Sequence, residues 1–160
     1  MTDNIFNELL FRLRKPWKKT SFTLYFILVV VLFGGIGVIM SLFFDNDPNK
    51  SGFISNLMTY SIALSVPACI AILLQYFPKA ENKVSLVLLS VSLLLIQVIV
   101  IFIFYFLDKG QFLVAILSTI LSWLFWVVAN ADNVFLDDEA YDENINKNVN
   151  ELGEQWNKQK

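Results

Sequence analysis

The sequence contains no histidine and a single cysteine, Cys69. A lone cysteine excludes a disulfide bond within the chain, and a chain without histidine or a second cysteine offers no soft-metal site of the usual kind. Charged residues are also scarce, at 16% of the sequence against 56% for hydrophobic residues. This composition is typical of an integral membrane protein.

Four stretches contain no aspartate, glutamate, lysine or arginine: residues 20–44, 51–78, 84–107 and 110–131. Each is longer than the roughly 20 residues that a helix needs to cross a hydrocarbon core of about 30 Å. Outer-membrane strands would alternate polar and apolar residues, and these stretches do not. We therefore predict an all-α integral membrane protein with four transmembrane helices, at about 21–44, 53–77, 84–107 and 111–130.

The lack of charge inside these stretches narrows the function. Secondary transporters and proton pumps generally place ionisable groups within the membrane as binding or relay sites. The sequence also shows no nucleophile beside a base, no carboxylate pair facing a cleft and no phosphate loop. We predict that the chain is not an enzyme, binds no cofactor or metal, and does not bind nucleic acid directly.

Lysine and arginine are unevenly distributed around the predicted spans. Five precede the first span, two lie in the second loop and three in the C-terminal segment, ten in all, against one in each of the other two loops. The positive-inside rule therefore places both termini in the cytoplasm. We expect a multi-pass protein of the bacterial inner membrane.

The N-terminal segment, residues 1–19, combines an apolar helical face with a basic cluster. The apolar face consists of Ile5, Phe6, Leu9, Leu10 and Leu13. The basic cluster consists of Arg12, Arg14, Lys15, Lys18 and Lys19. We interpret the segment as a short helix lying along the inner leaflet. Topological anchoring is the simpler role, and lipid-specific sensing is the alternative.

The predicted transmembrane domain, residues 20–131, carries small and polar residues suited to helix packing. We assign packing to Gly34, Gly37, Ser61, Ser65, Pro67, Gln97, Ala115, Thr119 and Ser122. Pro67 is expected to bend its helix, and the serines near it form either a tight interface or a hinge or pore lining. The Gln97 amide needs a partner on another helix or in a second subunit, and we expect a homo-oligomer.

The C-terminal segment, residues 132–160, holds eight acids and three bases, hence a net charge of −5. Anionic lipid would repel it. Its apolar residues recur at helical spacing, so we predict a cytosolic helix that docks on a partner. We assign partner binding to Leu136, Tyr141, Asp142, Glu143, Ile145, Val149, Leu152 and Trp156. The partner is either the basic N-terminal segment or a separate cytosolic protein, and a disordered solvating tail is the alternative.

Four spans, short outer loops and the junction "WVVANADN" at residues 126–133 lead into this segment. In these features the chain resembles the membrane subunit of the Kiwa anti-phage system. The resemblance implies an oligomeric partner of a cytosolic DNA-binding effector, which the membrane protein helps to position at the inner membrane when phage infection is sensed. It implies no role for individual residues.

Together these observations predict an oligomeric sensor or scaffold of the inner membrane, which recruits a cytosolic effector protein through its acidic tail in anti-phage defence. The alternative is an oligomeric pore, lined by hydroxyls of the second or fourth span, which depolarises the cell on an envelope signal. A holin-like lysis-control protein fits the chain length but not the long tail.

Overall fold

The computed structural model of the chain describes residues 5–76, 84–107, 110–137, 143, 145–150 and 156. Regular structure in these residues is entirely helical. The helices are, in chain order, α1 (Ile5–Arg14), α2 (Thr20–Tyr25), α3 (Ile36–Phe44), α4 (Ser51–Tyr76), α5 (Val84–Tyr105) and α6 (Gln111–Asn130). The prediction of an all-α fold is thus confirmed for this part of the chain.

Three of these helices, α4, α5 and α6, are long and apolar enough to cross a membrane. They pack as a bundle in which each helix contacts the other two, most extensively between α4 and α6. Half of the α6 span is buried, against 22% of the α5 span, so α5 presents most of its surface outwards. The chain therefore has the character of a multi-pass membrane protein.

The bundle interior consists of two apolar clusters with a polar layer between them. The first cluster contains Leu57, Met58, Ile101, Val114 and Ala115. The second contains Ala68, Ile72, Val87, Phe125, Val128 and Ala129. Along α4 and α6, the serines of the polar layer fall between the residues of these two clusters. The polar side chains are therefore enclosed by apolar packing on both sides.

The first predicted span, residues 21–44, is not one uninterrupted helix. After α2 the chain forms a π-helical segment, Phe26–Phe33, then turns at Gly34 and Gly35 before α3 begins. Consecutive glycines favour such a break, because they lower the cost of leaving helical geometry. The periodicity of the sequence did not indicate it, because every residue from Phe26 to Phe33 is apolar.

Helix α1 lies across the end of the bundle. The segment Leu9–Lys18 makes an angle of 97° with the segment Thr20–Phe33. Pro16 is buried and opens the 3-10 turn Pro16–Lys18 between α1 and α2. Leu9 and Leu13 pack against the apolar cluster that contains Phe125. Helix α1 therefore does not continue the direction of the segment that follows it.

Short turns connect the helices at the opposite end. The Asp45 carboxylate accepts hydrogen bonds from the backbone N–H groups of Asp47 at 3.0 Å and Phe53 at 3.1 Å, and so satisfies one donor in the first turn of α4. Gly110 precedes α6 with a φ of 87°. A Cβ atom there would lie 2.9 Å from the Phe104 ring, so only glycine suits this turn.

Candidate functional site

A layer of buried polar side chains joins α4, α5 and α6. It consists of Ser61, Ser65, Gln97, Ser118 and Ser122, none of which is more than 6% exposed. All five are neutral, so burying them in an apolar surrounding requires only that their hydrogen bonds are made within the protein.

Gln97 lies at the centre of this layer. Its Nε2 donates to the Ser118 carbonyl oxygen at 3.2 Å and to Ser122 Oγ at 3.0 Å, and its Oε1 accepts from Ser65 Oγ at 3.0 Å. The buried amide therefore finds its partners on two other helices of the same chain. A second subunit is not needed to satisfy it.

Ser122 is the contact point of all three helices. Its Oγ lies 2.7 Å from the carbonyl oxygen of Ser61 and 2.8 Å from Ser65 Oγ, in addition to its bond with Gln97. Ser122 has no exposed surface, so the position admits only a small side chain. The predicted packing residues Ser61, Ser65, Gln97 and Ser122 are thus brought together in one network.

The remaining packing residues of α4 and α6 lie around this network. Ala115 is fully buried, and Thr119 Oγ1 donates to its carbonyl oxygen at 2.8 Å. Pro67 lies inside α4 on an exposed part of its surface, away from the polar layer. Because the hydroxyls of the layer bond within the bundle and are buried, they line no open path in the described part of the chain.

The break in the first span is held against α4 by Tyr60. The Gly34 N–H donates to the Val29 carbonyl at 2.8 Å, and the Gly35 N–H donates to the Val31 carbonyl at 3.1 Å. Neither of these backbone hydrogen bonds uses the Val30 carbonyl, which lies between the two acceptors. That carbonyl, of Val30, accepts a hydrogen bond from the Tyr60 hydroxyl at 2.8 Å. Tyr60 therefore supplies a hydrogen bond to a backbone carbonyl that these two helical bonds leave without a donor.

The two glycines predicted to pack differ in their surroundings. A Cβ atom at Gly34 would lie 3.3 Å from Tyr60 Cε2 and 2.5 Å from the Val30 oxygen. Gly37 has no described atom within 4 Å of the same position, although its carbonyl accepts from Asn56 Nδ2 at 3.3 Å. Close packing within the chain therefore involves Gly34, while Gly37 leaves open space.

A second polar site, the charged junction, joins α1 to the end of α6. We define it as Arg12, Lys15, Lys19, Asp132 and Asp137. The Asp132 carboxylate lies 2.8 Å from Arg12 Nη2 and 2.9 Å from Lys15 Nζ, and Lys19 pairs with Asp137. Arg12 is 4% exposed, so this arginine is buried where the two segments meet.

The charges of the junction change the acidity of Asp132. Partial burial would raise the pKa of this carboxyl group, but the hydrogen bond from Lys15 and the charges of Arg12 and Lys15 outweigh burial and lower it below its ordinary value. Asp132 is therefore ionised at neutral pH, and the junction holds a charged carboxylate between two cations.

Aromatic rings line the junction on its apolar side. Trp17 meets Phe22 and Phe26 edge to face, with ring centroids 5.6 and 5.1 Å apart, and Trp126 stacks on Tyr25 at 5.9 Å. Tryptophan and tyrosine commonly lie at the boundary between lipid and water. The junction is thus bordered by a cluster of aromatic side chains of the type found there.

The described part of the C-terminal segment divides into a buried and an exposed portion. Leu136 packs against Phe22 and Val127 with 8% of its surface exposed, because the 3-10 turn Val134–Leu136 folds it back onto the bundle. Leu136 therefore does not share the exposed apolar face to which the spacing assigned it.

Residues 145–150 are helical and exposed throughout. Ile145 is 42% exposed and Val149 is 59% exposed, one helical turn apart, and Trp156 is 66% exposed. Glu143 is exposed as well. Tyr141, Asp142 and Leu152 lie outside the described residues.

Among the residues that the structure describes, no group of three or more cysteine or acidic side chains could hold a metal ion. Two sets of contacts were not predicted from the sequence. One is the pairing of Arg12 and Lys15 with Asp132 in the junction, and the other is the hydrogen bond between Tyr60 and Trp123, outside both polar sites. Trp123 Nε1 donates to Tyr60 OH at 3.0 Å. The opposite net charges of the N-terminal and C-terminal segments were the one sequence signal for the junction.

Comparisons of the chain with protein-family models, with curated proteins and with solved structures find no match.

Proposed function

We propose that the protein is a membrane scaffold that recruits a soluble cytosolic protein through the exposed helix of its C-terminal segment. The observation that carries this proposal is the apolar face formed by Ile145 and Val149, which is exposed to solvent. Two large apolar side chains one turn apart on a polar helix are the pattern of helix-in-groove recognition.

The charge of the same segment supports a protein partner over a lipid one. Its net charge of −5 is repelled by the anionic lipid of an inner leaflet. The three cations of the junction, Arg12, Lys15 and Lys19, are already paired with Asp132 and Asp137. A partner with a basic, apolar groove would complement both features of the tail helix.

The proposal includes a fourth membrane crossing by residues 20–44, and simple topology supports it. If α4, α5 and α6 each cross, the start of α4 and the end of α6 lie on opposite sides. Lys15 contacts Asp132, just beyond α6, so the N-terminal segment shares the side of that end. The stretch between Lys19 and Asp45 would then cross the membrane, although its helix is interrupted at Gly34 and Gly35.

The side on which the two ends lie follows from charge. Ten lysines and arginines fall on the side of the termini and two on the other, which favours a cytoplasmic location for both ends. We propose the inner membrane of a bacterium as the setting and a homo-oligomer as the working form. The resemblance to the Kiwa membrane subunit adds anti-phage defence as the process and a DNA-binding effector as the partner.

The test is co-purification of a soluble cytosolic partner with the chain, from cells that produce both. We expect Ile145→Asp combined with Val149→Asp to abolish co-purification, because it places two charges on the apolar face. Deletion of residues 138–160 should have the same effect, while it keeps Asp137 and its pair with Lys19.

The matched control is Asn146→Asp combined with Asn150→Asp. It adds the same charge to the same exposed helix, away from the apolar face, and should leave co-purification unchanged. Undiminished co-purification with the tail deleted would refute the proposal. The pore is less well supported, since Ser61, Ser65, Ser118, Thr119 and Ser122 of the two spans are buried in the bundle.

A further inference from the structure

The outward side of α1 forms a recess that shares only Lys15 with the charged junction. It has a volume of about 390 Å³ and is lined by Leu10, Phe11, Arg14, Lys15 and Lys18. Three of the five lining residues are cations, and the other two are apolar. The recess is thus lined by both cationic and apolar side chains.

Two of the three cations have no ionic or hydrogen-bonding partner among the described residues. Arg14 and Lys18 are exposed, and neither forms an ion pair or a hydrogen bond from its side chain with another described residue. Lys15 is shared, since its Nζ contacts Asp132 at 2.9 Å and lies 5.8 Å from the centre of the Phe11 ring. The recess therefore carries a net positive charge that nothing in the described part of the chain neutralises.

The surroundings of the recess indicate its depth in the membrane. Phe11 is 57% exposed and Trp17 is 44% exposed, both on the segment that runs at 97° to the first span. Exposed aromatic side chains on a surface-lying helix are typical of the headgroup region. Leu9 and Leu13, on the other side of α1, are packed against the bundle and hold the helix there.

We propose that this recess binds the headgroup phosphate of an anionic phospholipid. The guanidinium of Arg14 can donate two parallel hydrogen bonds to phosphate oxygens, and the Lys18 ammonium adds a point charge. Leu10 and Phe11 then contact the glycerol and the upper acyl carbons. A soluble phosphate would use only the cations, so the presence of Leu10 and Phe11 in the lining favours a lipid.

Native mass spectrometry of the full chain in neutral detergent, titrated with phosphatidylglycerol, tests this proposal. We expect Arg14→Gln combined with Lys18→Gln to weaken the first lipid adduct about 30-fold, the effect of two basic residues near an anionic surface. Arg14→Lys keeps the charge but loses the paired hydrogen bonds, so its loss should be smaller. Both side chains are exposed, so the fold should be retained, which circular dichroism checks.

The matched control is Lys50→Gln combined with Lys147→Gln, which removes the same charge at two exposed positions outside the recess and should leave the adduct unchanged. Phosphatidylcholine should bind more weakly, and inorganic phosphate should not displace phosphatidylglycerol. Equal binding by the double variant and the unsubstituted chain would overturn the proposal. Displacement by inorganic phosphate, or tighter lipid binding after deletion of residues 138–160, would assign the recess to free phosphate or to the acidic tail and overturn it as well.

Discussion

The polar layer between α4, α5 and α6 and the charged junction between α1 and the end of α6 are both built from polar side chains, but they differ in charge and in exposure. Every member of the layer is neutral and buried, with its hydrogen bonds made inside the bundle. The junction is charged, and Asp132 remains partly exposed.

The difference reflects what each environment allows. Burying a charged side chain in hydrocarbon is energetically unfavourable. Neutral amides and hydroxyls are tolerated there when they hydrogen-bond with one another. At a boundary between membrane and water, water screens charges. Exposed cations such as Arg14 and Lys18 therefore need no partner within the protein. The layer therefore joins α4, α5 and α6, while the charged end of the molecule is where we propose that outside molecules bind.

The largest effect should come from enlarging the residue where three helices meet. Ser122→Leu places a large side chain at a position with no exposed surface and removes an acceptor of Gln97. We expect the free energy of unfolding to fall by about 1–3 kcal/mol. Unfolding by sodium dodecyl sulfate in mixed micelles measures this change.

Ser92→Leu is the matched control, because Ser92 is exposed on the outer side of α5. It should leave the unfolding midpoint nearly unchanged. If both leucine variants shifted the midpoint equally, the contrast between a packed layer and a lipid-facing surface would be lost.

A smaller and more local effect should come from the junction. Asp132→Asn removes the charge that Arg12 and Lys15 share, and we expect α1 to detach more often, with an opening equilibrium raised about 5- to 30-fold. Hydrogen exchange of residues 5–14, read by mass spectrometry, measures this opening. Exchange within α4, α5 and α6 should not change. The control is Asp47→Asn, in the turn before α4, which should leave the exchange of α1 unchanged.

Acid should produce the same opening without a substitution. The pKa of Asp132 is lower in the folded chain than its ordinary value, so its pairing stabilises the docked α1 above that ordinary value and is lost as pH falls through the folded pKa. Exchange in α1, corrected for the intrinsic effect of pH, should be constant from pH 7 to about 5 and rise below about 4. A constant value down to pH 3 would contradict the role assigned to Asp132.

Much of the bundle could be predicted because membrane thickness constrains helix length. The charge-free stretches predicted spans at 53–77, 84–107 and 111–130, and the helices found there are Ser51–Tyr76, Val84–Tyr105 and Gln111–Asn130. Small residues also predicted where helices approach, as at Ser65 and Ser122. Hydrophobic length and residue volume are local properties, so a single sequence reveals them.

What could not be predicted depends on contacts between distant segments. The break at Gly34 and Gly35 lies in a uniformly apolar stretch, and its Tyr60 partner is 30 residues away from Val30. Gln97 could be identified as needing partners but not matched to Ser65 and Ser122. The pairing of Lys15 with Asp132 spans 117 residues and depends on α1 turning back across the bundle.

We propose that residues 20–44 cross the membrane, so that the two charged ends lie on one side. Single cysteines, introduced by Asn7→Cys, Asn49→Cys or Asn146→Cys into a chain carrying Cys69→Ser, test it with a membrane-impermeant maleimide. The account predicts that intact cells label only the Asn49→Cys chain, and that the other two are labelled after permeabilisation. Labelling of Asn7→Cys together with Asn49→Cys in intact cells would contradict the crossing, and labelling of Asn146→Cys there would contradict the cytoplasmic tail.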